Sequence, residues 1–199
     1  MSAPAGSLEV LRAAERTPVP WKNGGGLTRE VAVHPPASDL GGFDWRVSIA
    51  EVHTPGPFSL FEGVDRHMAV LAGRLSLAID GRPAVTLTPE TEALAFPGDL
   101  PAVAAPLGAP VTDLNVMTRR SRCAARLTRS WAPQFVPGPR ADTTVLIALA
   151  DLTLRGAGAV LSLSALDALR IRRVPGCAFA VHCGSAPYYL IEISNYATE

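Results

Sequence analysis

The sequence predicts an all-β chain, two jelly-roll barrels in one polypeptide, from three observations. First, 18 Pro and 17 Gly are spread through 199 residues, which leaves long helices little room. Second, apolar residues recur with period two: Phe43, Trp45, Val47 and Ile49 make one strand face, and Asp44, Arg46, Ser48 and Ala50 the other. Third, the two halves carry similar strand and turn signals in the same order.

Along the chain, strands are expected near residues 29–34, 43–50, 67–71, 75–80, 84–88, 94–96 and 111–118, joined by turns such as Asp80-Gly81 and Pro97-Gly98. Residues 119–129 carry Arg119, Arg120, Arg122, Arg126 and Arg129 and read as a solvated, salt-bridged connector. A second strand series begins near Thr144. In it, segments 149–154, 156–158 and 159–164, the turn Val174-Pro175-Gly176 and the strand 188–193 answer segments 71–77, 80–81, 84–88, 96–98 and 112–117 of the first half. The expected units are a barrel over residues 1–118 and a degenerate one over 119–199, packed as one unit. Jelly rolls dispose of open sheet edges with short strands and frequent turns of this sort.

Composition narrows the function. Hydrophobic residues make up 48% and charged residues 18%, as in a globular chain rather than a disordered one. A net charge of +0 argues against a non-specific nucleic-acid binder, which needs surplus Lys and Arg to displace counterions. No apolar run is long enough to span a bilayer, and residues 1–6 lack a basic segment leading into an apolar one, so a cytoplasmic location with no membrane partner is expected. Cys123, Cys177 and Cys183 are odd in number and lack C-x-x-C spacing, and are read as small buried hydrophobes.

The densest cluster of special residues is Trp21-Lys22-Asn23-Gly24-Gly25-Gly26, followed by Thr28, Arg29 and Glu30. Lys22 is the only lysine, a compact donor in a chain that otherwise uses arginine. The glycines suit either a surface turn between two strands or a backbone that approaches a ligand. The order of residues is not that of a phosphate-binding P-loop.

A jelly roll with a Pro-Gly turn before its last strands is similar to a cupin, but the ligand set of a metal-binding cupin is missing. The stretch Asp65-Arg66-His67-Met68 has one histidine and no second ligand at alternating spacing, and none follows Pro97-Gly98. His34, His53, His67 and His182 are scattered. No metal and no cofactor are expected.

Three blocks together, Trp21 to Glu30, Phe43 to Val52 and Gly56 to Arg66, closely resemble the HutD/Ves family. Phe96-Pro97-Gly98-Asp99 and Asp113-Leu114-Asn115-Val116-Met117 add to the resemblance, which runs from about residue 8 to 118 and thinly beyond. It implies an RmlC-like bicupin associated with histidine utilisation in bacteria, without an established enzymatic activity and with a regulatory or ligand-sensing role.

The polar residues of these blocks form a candidate site for a small carboxylate. The expected ligand-binding set is Trp21, Lys22, Asn23, Arg29, Glu30, Trp45, Arg46, Ser48, Asp65, Arg66, Asp113 and Asn115. Arginine forks grip a carboxylate, while amide and hydroxyl groups set its orientation. The competing reading is that Glu30, Asp65 and the arginines pair with each other and hold loops. Asp113 and Asn115 share one strand face, whereas their counterparts Leu190 and Glu192 have lost that pairing, so the first barrel is expected to carry the site.

Three functions remain open. The leading one is a metal-free bicupin that binds a small carboxylate, such as an intermediate of histidine breakdown, as a sensor. The alternatives are a metal-independent enzyme with Glu30 or Asp65 as general base, or with an Asp65–His67 acid/base dyad, and a protein-interaction module without a ligand. A homodimer is compatible with each.

Overall fold

The computed structural model describes residues 6–174 and 176–196, so Pro175 of the second-half Val-Pro-Gly turn and the first five residues lie outside the described residues. The chain divides into two units, Arg16–Ala124 and, in two pieces, Met1–Glu15 with Ala125–Glu199. Among the described residues there is no α-helix, only a 3₁₀ turn at Ala13–Glu15.

β1 (Ser7–Leu11) belongs to the two-piece unit. The unit Arg16–Ala124 then contains β2 (Pro18–Pro20), β3 (Gly26–His34), β4 (Trp45–Val52), β5 (Gly56–Pro57), β6 (Val64–Ala72), β7 (Leu75–Ile79), β8 (Val85–Leu87), β9 (Leu94–Pro97), β10 (Ala102–Pro106) and β11 (Val111–Arg119). They form a six-stranded sheet, ordered β2-β3-β4-β11-β6-β9, and a four-stranded sheet, ordered β5-β10-β7-β8. β4 and β11 pair antiparallel from Trp45↔Thr118 to Val52↔Val111, and β11 and β6 pair from Asp113↔Val70 to Arg119↔Val64.

These registers set which side chains share a face, because successive residues of a strand point to opposite sides. Trp45, Val47 and Ile49 lie on one side with Leu114 and Val116, all buried. On the other side, Val52, Val70 and Val111 pack with Leu75, Leu77, Ile79 and Ala104 of the four-stranded sheet into an apolar core. Further along that same face the residues turn polar, and this is where the cavity lies. Between β6 and β7 the chain turns at Gly73, whose φ is +85 and where a Cβ would stand 2.9 Å from the Pro110 carbonyl oxygen.

The two-piece unit continues with β12 (Cys123–Ser130), which begins at the division, β13 (Gln134–Phe135), β14 (Thr143–Ala148), β15 (Leu152–Gly156), β16 (Ala159–Leu163), β17 (Ala168–Arg172), β18 (Phe179–His182) and β19 (Tyr188–Asn195). Its sheets are ordered β1-β17-β14-β19-β12 and β13-β18-β15-β16. Adding eight to each strand number turns β9-β6-β11-β4 into β17-β14-β19-β12 and β5-β10-β7-β8 into β13-β18-β15-β16. The recurrence is therefore one of topology as well as of sequence punctuation. The interior differs: Tyr188 and Leu190 of β19 join Phe135, Leu146, Ile171 and Phe179 in an apolar cluster, and Glu192 accepts the Gly138 N–H at 2.7 Å.

Two expectations need correction. β1 was expected in the first barrel, residues 1–118, but pairs with β17 from Ser7↔Arg172 to Leu11↔Ala168. Most of the arginine-rich connector is the strand β12, at the end of its sheet, where arginines that would break a buried alternation are tolerated. Arg120, just ahead of it, is salt-bridged as expected, to Asp65 at 2.8 Å and Asp99 at 3.1 Å. Of the three cysteines, all free, only Cys123 is fully buried; Cys177 and Cys183 are half-buried.

Candidate functional site

The glycine triplet builds the rim of the cavity. Trp21 N–H donates to the Gly26 carbonyl at 2.9 Å and Gly24 N–H to the Trp21 carbonyl at 3.0 Å, closing the turn between β2 and β3. Asn23 Oδ1 accepts from Gly25 N–H at 3.0 Å, a local bond that fixes the turn. Gly26 is required by crowding, since a Cβ there would stand 2.2 Å from the Glu51 carbonyl oxygen and 3.2 Å from the Trp21 ring. The glycines are thus a strand-to-strand turn that holds Trp21, Lys22 and Asn23 over the six-stranded sheet. Trp21 is further fixed by a 2.8 Å bond from Nε1 to Thr28 Oγ1 and an edge-on contact with Phe58.

Beneath this rim is a cavity of ≈ 740 Å³. Its floor is the polar stretch of the sheet: Thr28 and Glu30 from β3, Arg46, Ser48 and Ala50 from β4, Asp113, Asn115 and Met117 from β11, and Arg66 from β6. Register puts Ser48 opposite Asn115, Ala50 opposite Asp113, and Met117 between Arg46 and Arg66. Phe58, Ser59 and Phe61 from the loop after β5, with Ser38, Asp39 and Leu40, supply the walls. Asp39 orders its loop by accepting the N–H groups of Gly41 and Gly42.

The candidate residues fall into two groups. Trp21, Lys22, Asn23, Glu30, Arg46, Ser48, Arg66, Asp113 and Asn115 line the cavity. Arg29, Trp45 and Asp65 do not. Arg29 is ion-paired with Glu51, Trp45 is buried and stacked on His34, and Asp65 is held by Arg120. His67 shares the Asp65 side of β6, away from Arg66, so the Asp65–His67 dyad does not face the cavity. Phe58 and Phe61 are among the cavity residues outside the candidate set, although both stand in the motif Gly56-Pro57-Phe58-Ser59-Leu60-Phe61; Thr28, Ser38, Asp39, Ser59 and Met117 are others.

The arginines of the cavity differ in kind. Arg46 donates from Nε to Glu30 Oε2 at 2.8 Å and is already balanced. Arg66, only 4% exposed, makes no hydrogen bond among the described residues. Its guanidinium lies 4.8 Å from the Phe58 ring centre and 5.1 Å from that of Phe96, a cation held between two aromatic faces. Burial lowers its pKa to about 10, and the nearby Asp113 carboxylate opposes that shift. Asp113 is 1% exposed, and neither carboxyl oxygen has a partner among the described residues. Burial pushes it up to about 7, with the charge of Arg66 pulling the other way. Asn115 Oδ1 is also shut in without a partner. Such a floor can receive an anion at Arg66 and hydrogen-bond donors at Asp113 and Asn115.

Among the described residues no group of three His, Cys, Asp or Glu side chains converges. No helix of the described residues is long and apolar enough to cross a membrane.

The sequence profile of the HutD family matches residues 13–186. An uncharacterised 21.2 kDa protein encoded in the hutC 3' region of Pseudomonas putida is 40% identical over 121 residues, which cover 60% of this chain and 63% of that protein. Protein Ves of Citrobacter koseri is 43% identical over 110 residues, 54% of this chain and 56% of that protein. The matches therefore span less than two thirds of these relatives' length. HutD from Pseudomonas fluorescens SBW25, solved in a formate condition, superposes with a TM-score of 0.82 at 30% identity, covering 96% of this chain and all of that one. More remote cupin-like structures, 10% and 12% identical, share the all-β fold alone.

Proposed function

This chain belongs to the HutD family, and we propose that its cavity binds a small carboxylate metabolite, through which the protein senses the state of histidine utilisation. The observation that carries this reading is Arg66, a buried guanidinium without a hydrogen-bonding partner among the described residues, on the floor of a ≈ 740 Å³ cavity. A carboxylate would give it the paired acceptor it lacks, worth on the order of 1.5–3 kcal/mol as a charge-assisted bond. The hutC-region relative supports the link to histidine utilisation. An enzymatic reading with Glu30 or Asp65 as general base has less support, because Glu30 is paired with Arg46 and Asp65 with Arg120 outside the cavity.

The same proposal extends to architecture. The recurring strand orders support a duplicated jelly roll, a bicupin, in which the first unit keeps an open polar interior and the second fills its own with side chains.

The test is a thermal-shift screen with formate, glutamate, formylglutamate, histidine and urocanate, run on the parent and on Arg66→Met. A ligand that binds only the folded state raises the melting temperature. At least one of these acids should stabilise the parent and none the variant. A shift that survives Arg66→Met would refute the assignment, and turnover of a bound acid would favour the enzymatic reading.

A further inference from the structure

A plain carboxylate would satisfy Arg66 and leave the rest of the floor unanswered. Three oxygens on β11, Asp113 Oδ1 and Oδ2 and Asn115 Oδ1, are closed to solvent and accept no hydrogen bond among the described residues. Asp113 and Asn115 are two residues apart and project from the same side of one strand into the cavity that Arg66 enters from the neighbouring strand. Buried polar atoms are almost always paired, and a carboxylate acid offers only acceptors at its charged end. Two acceptor-bearing side chains beside the anion site therefore call for a second kind of group in the same molecule.

We infer that the ligand is a small acid that also carries at least one N–H or O–H donor, its carboxylate taken by Arg66 and its donor by Asp113 and Asn115. This rests on the carboxylate reading above and adds to it the chemistry at the other end. Asp113 becomes the residue that determines specificity: an acid lacking the donor would bury those oxygens against its own apolar edge and lose affinity, while one bearing the donor would pair them. A site built to hydrogen-bond a ligand group rejects the isostere that lacks it far more strongly than an apolar pocket rejects a missing methylene. The cavity also has apolar surface for a flat or compact body between the two ends: Phe58 and Phe61 in the walls, Trp21 in the rim and Met117 in the floor.

Two matched pairs of probes separate the ideas. Pyrrole-3-carboxylate and furan-3-carboxylate differ by an N–H in place of a ring oxygen, and N-acetylglycine and acetoxyacetate differ by an amide N–H in place of an ester oxygen. Titration calorimetry on the parent should give at least tenfold tighter binding of the N–H member in one pair or both. Asp113→Asn, which keeps the shape and a single acceptor, should cut that preference at least threefold, and Asp113→Val should abolish it. Arg66→Met should weaken both members alike. Equal binding within both pairs by the parent, or an undiminished preference in Asp113→Asn, overturns the donor inference and leaves the carboxylate reading standing. Binding of all four probes undisturbed by Arg66→Met, or no binding of any, overturns the carboxylate reading and the inference with it. If Asp113→Val fails to fold, Asp113→Asn alone decides.

Discussion

Arg66 and Asp113 stand on neighbouring strands of one sheet, both buried and on the same cavity, yet no hydrogen bond joins them. Each feels the other's charge, but for both the cost of leaving water is the larger effect. A buried pair arranged for stability would be in contact. This one makes no ion pair, which in the proposed reading leaves both groups open to a ligand.

Asp113→Asn should stabilise the ligand-free protein at high pH and change little at low pH. With the folded pKa raised from 3.8 to about 7, the carboxyl is neutral in both states well below pH 3.8 and carries no penalty there. Between pH 4 and 7 the unfolded chain ionises first and stability falls, and above pH 7 the whole penalty, about 4 kcal/mol, is in place. That figure already includes the attraction to Arg66, so an uncharged isostere should recover most of it. Urea titrations at pH 4.5 and pH 8 check this: an equal effect at both would show that Asp113 is ionised throughout.

Arg66→Met at pH 5.5, where Asp113 is largely neutral, should leave the melting temperature of the ligand-free protein unchanged or higher. The variant removes a desolvated cation and places a thioether between Phe58 and Phe96, a contact aromatic rings accept well. A large loss of stability would mark Arg66 as a fold-holding residue.

Arg46→Met should weaken a carboxylate-induced thermal shift less than Arg66→Met does, because Arg46 is already engaged by Glu30. Since Glu30 is partly exposed, a double-mutant cycle on the pair should return a coupling of about 1 kcal/mol or less. A ligand shift lost with Arg46 but kept without Arg66 would reverse their roles.

The sequence made the strands with apolar alternation easy to find, such as β4 and β11, where Trp45, Val47 and Ile49 face Thr118, Val116 and Leu114. It made β10 hard, because Ala102-Val103-Ala104-Ala105-Pro106 lacks bulky alternation, and β12 hard, because its arginines resemble a loop. The polar members of the site were legible in the motifs, but their pairing was not. Arg29, Arg46 and Arg66 look alike along a chain, and only the register, which sends Arg29 toward Glu51, Arg46 toward Glu30 and Arg66 between two rings, tells the free cation from the bound ones.

Gly26→Ala should destabilise by about 1–3 kcal/mol through overpacking against the Glu51 carbonyl. Because the Trp21 ring is the other neighbour, the same variant should shift tryptophan fluorescence. Wild-type stability with an unchanged spectrum would show that the turn relaxes at no cost.

Treatment with EDTA should leave the melting temperature unchanged, since among the described residues no metal-ligating group of three side chains assembles. A drop on chelation, restored by one divalent ion, would overturn that expectation.

The pairing of β1 with β17 imposes an order of events on the nascent chain. Every residue of the cavity lies within Arg16–Ala124, so that unit has its complete set of strands while the ribosome is still translating the other. Ser7–Leu11, made first, waits for a partner roughly 160 residues away, on the order of ten to thirty seconds at ordinary elongation rates. Until β17 is made, that segment lacks its strand partner, and Glu9 lacks Arg170, from which it later accepts a hydrogen bond at 2.9 Å.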